Sequence, residues 1–276
     1  MTNRTVLLTG CSSGIGNATA RAFLDAEWTV YATARDPNDI TDLAEAGCET
    51  LALDVTDGEQ VRSVVEQVHA EAGRIDCLVN NAGIGQYGPV EEIPIGAVHR
   101  QYDVNVYGPH RLIRAVLPHM RDRGDGTIIN LSSVTARVVH PGGGVYGGSK
   151  AALEAMSDAL RAEVAPFGID VVLIEPGPVD TSFRDRAEDD APPESARTGE
   201  YSTFYRLFED AKLLGGSGIV ASDPEDVAAV ILNAASCTNP ASRYPVGQFA
   251  KLALLGRYVP DRWRDRAYGL LSRVVN

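Results

Sequence analysis

"TVLLTGCSSGIGNATARAFLDAE", residues 5–27, places an apolar run, a glycine cluster and a helical pattern directly one after another. Gly10, Gly14 and Gly16 permit a tight turn and close approach of another group to the backbone. The following helix begins with unpaired N–H groups, which attract an anion. The turn lacks the G-K-[ST] ending of ATPase phosphate loops, and it is not G-x-G-x-x-G either. The stretch therefore predicts a strand–turn–helix unit that holds a nucleotide phosphate.

Strand and helix patterns alternate through most of the chain. Strands are predicted at 5–10, 28–34, the end of 43–55, 75–83, 126–133, 169–177 and, at an edge, 243–247. Helices are predicted at 16–27, 58–73, 97–122, 145–166 and 223–236. This alternation indicates a parallel sheet with helices on both faces. We therefore expect a doubly wound α/β fold of about seven strands, with ligands at the carboxyl ends of the strands.

The composition excludes several classes of function. The chain has 276 residues and a net charge of −12, which argues against a nucleic-acid partner because phosphate binding needs Lys and Arg. No apolar run approaches the length of a membrane span, and the N-terminal sequence lacks a signal-peptide core, so we expect a cytoplasmic protein. The four cysteines and five histidines show no metal-ligand spacing, so we assign no metal and expect free thiols.

"GGVYGGSK", residues 143–150, contains a tyrosine and a lysine four residues apart. In a helix, Tyr146 and Lys150 lie on the same face. A free phenol has a pKa near ~10, and a neighbouring cation favours its ionised form. Such a pair also arises by chance at the start of a surface helix. As a functional pair, it predicts acid–base chemistry by the phenol.

The end of the second strand, "ATARD" at 32–36, bears on the choice of nucleotide. A carboxylate here would bond the ribose 2′-hydroxyl of NAD, whereas a basic residue would pair with the 2′-phosphate of NADP. Ala34 stands where the carboxylate is expected, and Arg35 follows it. The guanidinium can donate two hydrogen bonds to a phosphate at once. This predicts NADP, with NAD as the alternative if Asp36 pairs with Arg35.

Seven motifs in order resemble the compact branch of the short-chain dehydrogenase/reductase family. They are "TGCSSGIG" (9–16), "LDV" (53–55), "NNAG" (80–83), "DVN" (103–105), "SS" (132–133), "YGGSK" (146–150) and "PGPVDT" (176–181). Two further stretches, "VYATARDP" (30–37) and "RYPVG" (243–247), resemble the 17β-hydroxysteroid and retinol dehydrogenase-like subgroup. The resemblance implies a single Rossmann-fold oxidoreductase domain over residues 1–276.

The resemblance also implies catalytic roles. Tyr146 would be the general acid that protonates a carbonyl oxygen, and Lys150 would lower its pKa and hold the nicotinamide ribose. Ser133 would position the carbonyl, with Ser132 as the alternative. Asn105 would hold a water molecule in a proton relay to Lys150. Asparagine is a poor residue in mid-helix, which favours a functional reason for its presence there.

The cofactor contacts follow from the same resemblance. Asp54 would contact the adenine, Asn81 and Ala82 would lie near the adenosine ribose, and Asn81 would also brace the fourth strand. The full predicted set is Gly10, Ser12, Ser13, Gly14, Ile15, Gly16, Arg35, Asp54, Val55, Asn81, Ala82, Gly83, Tyr146, Lys150, Pro176, Gly177, Val179 and Thr181.

Regularity ends after the sixth strand. Residues 184–200 are charged and carry two prolines, which predicts a loop. We interpret 184–216 as a substrate lid with an amphipathic helix at 201–214; a plain acidic surface insertion is the alternative. The C-terminal tail, about 248–276, is expected to pack on the domain or on a second subunit rather than on a membrane. Its apolar stripe is Trp263, Ala267, Leu270, Leu271 and Val274.

These inferences predict an NAD(P)-dependent oxidoreductase that interconverts a ketone or aldehyde and an alcohol. An apolar, medium-sized substrate such as a steroid, retinoid or acyl ketone suits the predicted pocket wall: residues 84–92, Val139, His140, Tyr201, Phe204, Tyr205, Leu207 and Phe208. The alternatives are a 3-oxoacyl-carrier-protein reductase, which an acidic surface disfavours, and a non-catalytic NADP-binding redox sensor. Relatives of this type pair through helices near 98–122 and 146–165, so we expect a homodimer or homotetramer.

Overall fold

The computed structural model describes residues 4–183, 197–202, 204–206 and 221–274. The strands are β1 (Thr5–Leu8), β2 (Thr29–Ala34), β3 (Glu49–Ala52), β4 (Cys77–Asn80), β5 (Gly126–Leu131), β6 (Ile169–Pro176) and β7 (Arg243–Val246). The helices are α1 (Gly14–Asp25), α2 (Thr41–Ala46), α3 (Gly58–Ala72), α4 (Ile95–Tyr102), α5 (Gly108–Arg123), α6 (Gly144–Val164), α7 (Pro224–Ser236), α8 (Gln248–Ala253) and α9 (Asp261–Val274).

The strands form one parallel sheet in the order β3-β2-β1-β4-β5-β6-β7. This order confirms the predicted doubly wound Rossmann fold, including the edge strand β7. The chain leaves β1 toward β2 and returns on the other side of β1 at β4. The carboxyl ends of β1 and β4 therefore flank the topological switch point, where a ligand crevice opens in folds of this type.

Both faces of the sheet are buried, as a continuous apolar strand such as β1 requires. On one face Val6 and Leu8 pack with Phe23 of α1, in a core that also includes α7. On the other face Leu7 packs with α3 and α5. Because Leu7 and its two neighbours are fully buried, β1 is fixed between two cores. The start of the glycine turn is consequently fixed by the buried strand that precedes it.

The helix predicted at 97–122 is interrupted. Helix α4 ends at Tyr102, a single π turn spans Asp103–Tyr107, and α5 continues from Gly108. The interruption contains Asn105, whose side chain bonds outside its own helix. Short π segments of this kind occur mainly at functional sites. Among the described helices, none has the length and apolar character needed to cross a membrane.

Candidate active site

The glycine turn between β1 and α1 has no room for side chains. Gly10 and Gly14 have φ values of +72° and +53°, a region that favours glycine. A Cβ atom on Gly16 would lie 2.1 Å from the carbonyl oxygen of Gly10, and one on Gly14 would lie 2.7 Å from Cγ2 of Thr181. Ser13 occupies the N-cap position of α1, but its side chain does not cap the helix. The turn thus presents the start of α1 as a cradle of the shape that a diphosphate needs.

Asn81 holds this turn against β4. Its Nδ2 donates hydrogen bonds to the carbonyl oxygens of Thr9 and Gly10, each at 2.9 Å. The Thr9 hydroxyl accepts bonds from the backbone N–H groups of Asn81 and Ala82, both at 3.0 Å. These contacts fix the two strand ends at the switch point relative to each other. They assign Asn81 the bracing role that the sequence predicted.

The predicted adenosine end lies at β2 and β3. Arg35 follows β2 and is exposed. The carboxylate of Asp36 accepts hydrogen bonds from the backbone N–H and the Nδ2 of Asn38, at 2.9 and 2.8 Å, and within the described chain it forms no ion pair with Arg35. Asp54 is partly buried, and its Oδ1 accepts bonds from the backbone and hydroxyl of Thr56. The exposed guanidinium of Arg35 can therefore pair with an anionic group of a ligand.

Tyr146 and Lys150 lie on the first turns of α6, and both are buried. The Lys150 Nζ donates to the carbonyl oxygen of Leu131 at 2.7 Å and lies 6.0 Å from the centre of the Tyr146 ring. Burial raises the pKa of Tyr146 to about 12, although a hydrogen bond with Ser133 opposes the rise. The expected net lowering of this pKa is therefore not seen, because loss of solvent dominates. The phenol is protonated at neutral pH and can donate its proton.

Lys150 has the opposite shift. Burial lowers the pKa of Lys150 to about 8, and the negative charge of Glu154 acts to raise it. A Cβ atom on Gly83 would lie 3.6 Å from Nζ and 3.4 Å from Oδ1 of Asn105. The turn after β4 therefore approaches the lysine closely. A lysine pKa of about 8 lies within the range where an acid–base site works.

The two serines after β5 have different partners. Ser132 donates from Oγ to Oε1 of the buried Glu154 at 2.7 Å. The Ser133 hydroxyl is 2.6 Å from that of Thr135, accepts from the Thr135 backbone N–H, and is the group that acts on Tyr146. Ser132 donates its hydroxyl proton to Glu154, whereas the Ser133 hydroxyl lies beside the Tyr146 phenol. The geometry therefore favours Ser133 as the hydroxyl that positions a substrate carbonyl.

Sequence reasoning missed Glu154. It lies one turn after Lys150 on α6, and its Oε2 accepts from Arg137 Nε at 2.7 Å and from Arg243 at 2.8 Å. Arg243 also bonds Glu175 at 2.6 Å. A carboxylate four residues after the lysine on the same helix face was the available signal, because i and i+4 side chains are neighbours. Glu154 thus joins helix α6 to strand β7 and to Ser132.

Asn105 is fully buried in the π turn. Its amide forms a reciprocal pair with the backbone of Ile84: Oδ1 accepts from the N–H and Nδ2 donates to the carbonyl, each at 2.9 Å. Nδ2 also donates to the Ser149 hydroxyl at 3.1 Å. The Asn105 side chain therefore holds the loop after β4 in place. A water molecule in the predicted relay to Lys150 would have to hydrogen-bond to other atoms of the π turn.

The segment after β6 covers the glycine turn. The backbone N–H of Gly177 donates to the carbonyl of Val246, and Val179 pairs with Ser222. The Thr181 side chain lies against Gly14. Further along, Phe183 packs on Tyr146 with ring centres 5.8 Å apart. Of the residues predicted in this segment, Thr181 meets the glycine turn, whereas Gly177 and Val179 lie against β7 and Ser222. The structure adds Phe183, which sequence reasoning missed.

Aromatic side chains form a wall beside the phenol. Tyr87 packs on Tyr146 at 5.3 Å and on His140 at 6.2 Å between ring centres. The ring of Phe204 touches Gly142. These positions agree with the predicted wall at 84–92, His140 and Phe204.

The described part of the predicted lid, 197–202 and 204–206, packs on the turn at Val90–Glu92. Tyr201 donates to Glu91 Oε2 at 2.6 Å, and Tyr205 donates to Glu92 Oε2 at 2.7 Å. The backbone and hydroxyl of Thr198 both donate to Glu92 Oε1. The rest of the lid, with Leu207 and Phe208, lies outside the described residues.

A buried phenol with a serine hydroxyl and a lysine, beside a glycine cradle for a diphosphate, is suited to proton transfer to a carbonyl oxygen. The residues present therefore fit a dinucleotide cofactor. Within the described ranges, His, Cys, Asp and Glu side chains form no cluster suited to a metal ion.

Comparison with known proteins agrees with this chemistry. Residues 4–192 match the family described as short chain dehydrogenase. The chain is 38% identical over 260 residues to human 17-beta-hydroxysteroid dehydrogenase type 1, covering 88% of this chain and 77% of that protein. It is 34% identical over 265 residues to 3-ketodihydrosphingosine reductase of Bacteroides thetaiotaomicron, with 95% of each covered. It is 32% identical over 275 residues to the NADPH-dependent 3-dehydrocapnine reductase of Ornithobacterium rhinotracheale, with 96% of each covered.

Solved structures extend the likeness to the whole fold. A short-chain dehydrogenase from Streptomyces avermitilis superposes with a TM-score of 0.83 at 34% identity, covering 100% of this chain and 99% of that one. A short chain dehydrogenase/reductase from Burkholderia phymatum, in complex with NAD, has a TM-score of 0.76 at 25% identity and covers 92% of both chains.

Proposed function

The chain belongs to the short-chain dehydrogenase family, and we propose that this oxidoreductase uses NADPH to interconvert an apolar, medium-sized ketone or aldehyde and its alcohol. The observation that carries the proposal is the position of Tyr146. It is a buried phenol with Ser133 and Lys150 beside it, between a glycine cradle and an aromatic wall.

Each catalytic group has a separate task. Ser133 donates a hydrogen bond to the substrate carbonyl and orients it toward Tyr146. Tyr146, with a pKa of about 12, donates its proton to the oxygen as that oxygen gains negative charge. Preorganised donors at a developing alkoxide supply much of the rate in such reactions. Lys150 in its charged form then stabilises the phenolate, and Asn105 keeps the neighbouring loop in register.

NADPH would be held by Arg35, Asp54, the glycine turn and the Pro176–Thr181 segment. When bound, it supplies the hydride to the carbonyl carbon. We propose NADP over NAD because Arg35 is exposed at the end of β2 and Asp36 is held by Asn38.

The cofactor proposal is tested by measuring NADPH and NADH affinity in Arg35→Ala. We expect NADPH binding to weaken by at least tenfold more than NADH binding, because only NADPH has the 2′-phosphate. Arg62→Ala, a change of another exposed arginine, serves as the control. Equal losses for both nucleotides would place the 2′-phosphate elsewhere or assign the enzyme to NAD.

The substrate class follows from the pocket wall. Tyr87 and Phe183 pack on the phenol, and Phe204 adds apolar surface at Gly142, which favours a steroid, retinoid or long acyl ketone. Two of the similar proteins carry names that give a hydroxysteroid and a 3-ketodihydrosphingosine as substrates. We further propose that the chain falls in the 17β-hydroxysteroid and retinol dehydrogenase-like subgroup, which the 38% identity to the human steroid enzyme supports.

A panel of carbonyl compounds tests this function. NADPH oxidation is followed with a steroid ketone, retinal, a long-chain 3-keto compound and a small polar ketone. We expect kcat/KM to be at least tenfold higher for the apolar members. Preference for the polar ketone would contradict the proposed substrate class, and tight NADPH binding with no turnover of any member would favour a redox sensor.

We also propose that the protein is a homodimer or homotetramer that pairs through α4, α5 and α6. Tyr107, half exposed in the π turn, offers apolar surface at this face. Light scattering at micromolar concentration tests the assembly: a mass of two or four chains is expected, and a monomer would contradict it.

The four cysteines are free thiols, which suits a reducing cytoplasm.

A further inference from the structure

The tail, residues 248–276, has a charge opposite to that of the rest of the chain. It contains six basic residues and two acidic ones, which gives a formal charge of +4. Because the whole chain carries −12, the remaining residues carry −16. The basic residues of the tail are Lys251, Arg257, Arg262, Arg264, Arg266 and Arg273, and the acidic ones are Asp261 and Asp265.

The tail also exposes large apolar side chains. Leu252, Leu255 and Tyr258 are 69%, 60% and 72% exposed, and they follow one another at a spacing of three along α8 and the 3-10 turn Leu254–Tyr258. Trp263 at the start of α9 is 65% exposed. Residues three apart share a face of such a turn, so Leu252, Leu255 and Tyr258 form one patch, and Trp263 adds a further exposed ring on the following helix. Contiguous apolar surface of this kind marks an interaction site.

The segment of the tail that carries this patch lies next to the candidate active site. Phe249, at the start of α8, comes within 3.5 Å of the Cβ position of Gly177, in the segment proposed to hold NADPH. The 3-10 turn approaches Val138, 3.6 Å from the Cβ position of Gly256, and Val138 precedes the pocket-wall residues Val139 and His140. A surface that bound the tail would therefore face the side of the molecule where substrate reaches Tyr146.

We propose that the tail docks the protein on the surface of an anionic lipid bilayer. Exposed Trp and Leu side chains enter the boundary between headgroups and acyl chains, and the surrounding Arg and Lys side chains pair with anionic headgroups. The acidic remainder of the chain is repelled by the same surface, which orients the molecule with the tail toward the membrane. The sequence led us to expect that the tail packs on its own domain. Such packing would bury the large apolar side chains of the tail, whereas Leu252, Tyr258 and Trp263 are mostly exposed.

A second copy of the chain fits the exposed patch of the tail less well than an anionic bilayer does. In a two-fold contact through this patch, the same surface meets itself, so one +4 tail would face another. Like charges placed opposite each other disfavour such a contact. A bilayer with anionic headgroups supplies the complementary charge without that repulsion.

Membrane docking does not depend on the proposed reaction, but it would serve an apolar substrate. A ketone dissolved in a bilayer could reach the aromatic wall without crossing bulk water. The binding test therefore uses vesicles alone and no turnover, so failure of docking and failure of the proposed reaction are distinguishable.

The full chain is sedimented with vesicles of pure phosphatidylcholine and of an equal mixture of phosphatidylcholine and phosphatidylglycerol. We expect binding to the anionic vesicles at low salt, little binding to the neutral ones, and release at 0.5 M salt. Arg262→Glu with Arg266→Glu should lower the partition coefficient by at least ~10-fold. The control with the same net charge is Arg4→Glu with Arg62→Glu, two exposed arginines outside the tail and outside the helices proposed to pair, and it should bind as the parent does.

Trp263→Ser tests the apolar part, with Phe167→Ser, at a 45% exposed position outside the tail, as its control. We expect reduced vesicle binding only for Trp263→Ser, with unchanged circular dichroism for both. Equal binding by tail and control variants, or no binding of the parent to anionic vesicles, would overturn the proposal. A dimer that Trp263→Ser dissociates, without vesicle binding by the parent, would assign the patch to a second copy instead.

Discussion

Glu154 is the residue whose role the structure reveals most directly, and it leads to a pH prediction. Its negative charge raises the pKa of Lys150, which burial lowers to about 8. In Glu154→Gln that support is lost, so Lys150 loses its proton at a lower pH. The proposed reduction needs charged Lys150, and we therefore expect the fall in kcat at high pH to begin at lower pH than in the parent.

Asp158→Asn is the matched control. Asp158 bonds the same Arg243 at 2.5 Å, but it lies one turn further along α6 and is half exposed. Its pH–rate profile should coincide with that of the parent. A Glu154→Gln profile that does not move, in a folded protein, would mean that Glu154 acts only on structure.

The two serines after β5 give a second residue-scale prediction. Ser133→Ala removes the donor to the carbonyl, and loss of one such donor lowers kcat by about 100- to 1000-fold in comparable sites. Ser132→Ala removes a bond to Glu154 and should lower kcat much less. Steady-state kinetics of the pair checks this, and a larger loss in Ser132→Ala would exchange the two roles.

Individual residues were predictable where the motif itself carries the chemistry. Tyr146, Lys150 and the glycines belong to contiguous stretches, so short-range spacing was enough. Glu154 was not predictable as a buried residue, because a glutamate on an amphipathic helix ordinarily faces solvent. Its burial depends on Arg137 and Arg243, which lie 17 and 89 residues away in the chain.

At the scale of elements, the glycine turn is the most constrained connection. In Gly16→Ala the new Cβ would meet the Gly10 carbonyl oxygen at 2.1 Å, so the backbone must move. Overpacking of this kind costs about 1–3 kcal/mol of unfolding free energy. We expect a lower Tm together with weaker NADPH binding, measured by thermal unfolding and by titration.

Gly58→Ala makes the same chemical change in the first turn of α3. There the nearest atom to the new Cβ is 3.9 Å away, so we expect Tm to stay the same or rise slightly. If Gly16→Ala behaved like Gly58→Ala, the turn would not be the tight cradle described here.

The boundaries of the helices and strands were only partly predictable from sequence patterns. The strands were predictable because each is a short apolar run bounded by glycine or polar residues. The π turn at Asp103–Tyr107 was not, since "DVNVY" continues the helical pattern of its neighbours. The break accompanies the bonds between Asn105 and Ile84, which form only when the loop after β4 is in place.

At the scale of the whole molecule, NADPH should stabilise the fold by joining elements that are distant in sequence. A ligand at 100 times its Kd contributes about 2.7 kcal/mol to the free energy of unfolding. We expect Tm to rise by about 5 °C or more with NADPH and by less with NADH at the same concentration. A larger shift with NADH, measured by scanning calorimetry, would contradict the NADP proposal.

The sheet order was predictable as a whole because alternating strands and helices permit few topologies once right-handed crossovers are required. The charge contrast between the tail and the remainder could also be read from the sequence. The exposure of Leu252, Tyr258 and Trp263 could not, because an amphipathic stripe does not reveal which surface covers it.

The most direct test of the central claim is NADPH oxidation by the parent and by Tyr146→Phe with the best apolar ketone. Phenylalanine keeps the ring packing against Tyr87 and Phe183 but removes the proton donor. We predict that NADPH affinity stays within a few fold while kcat falls by at least ~100-fold. A variant that binds NADPH and turns over at the parent rate would contradict the role of Tyr146 as the proton donor.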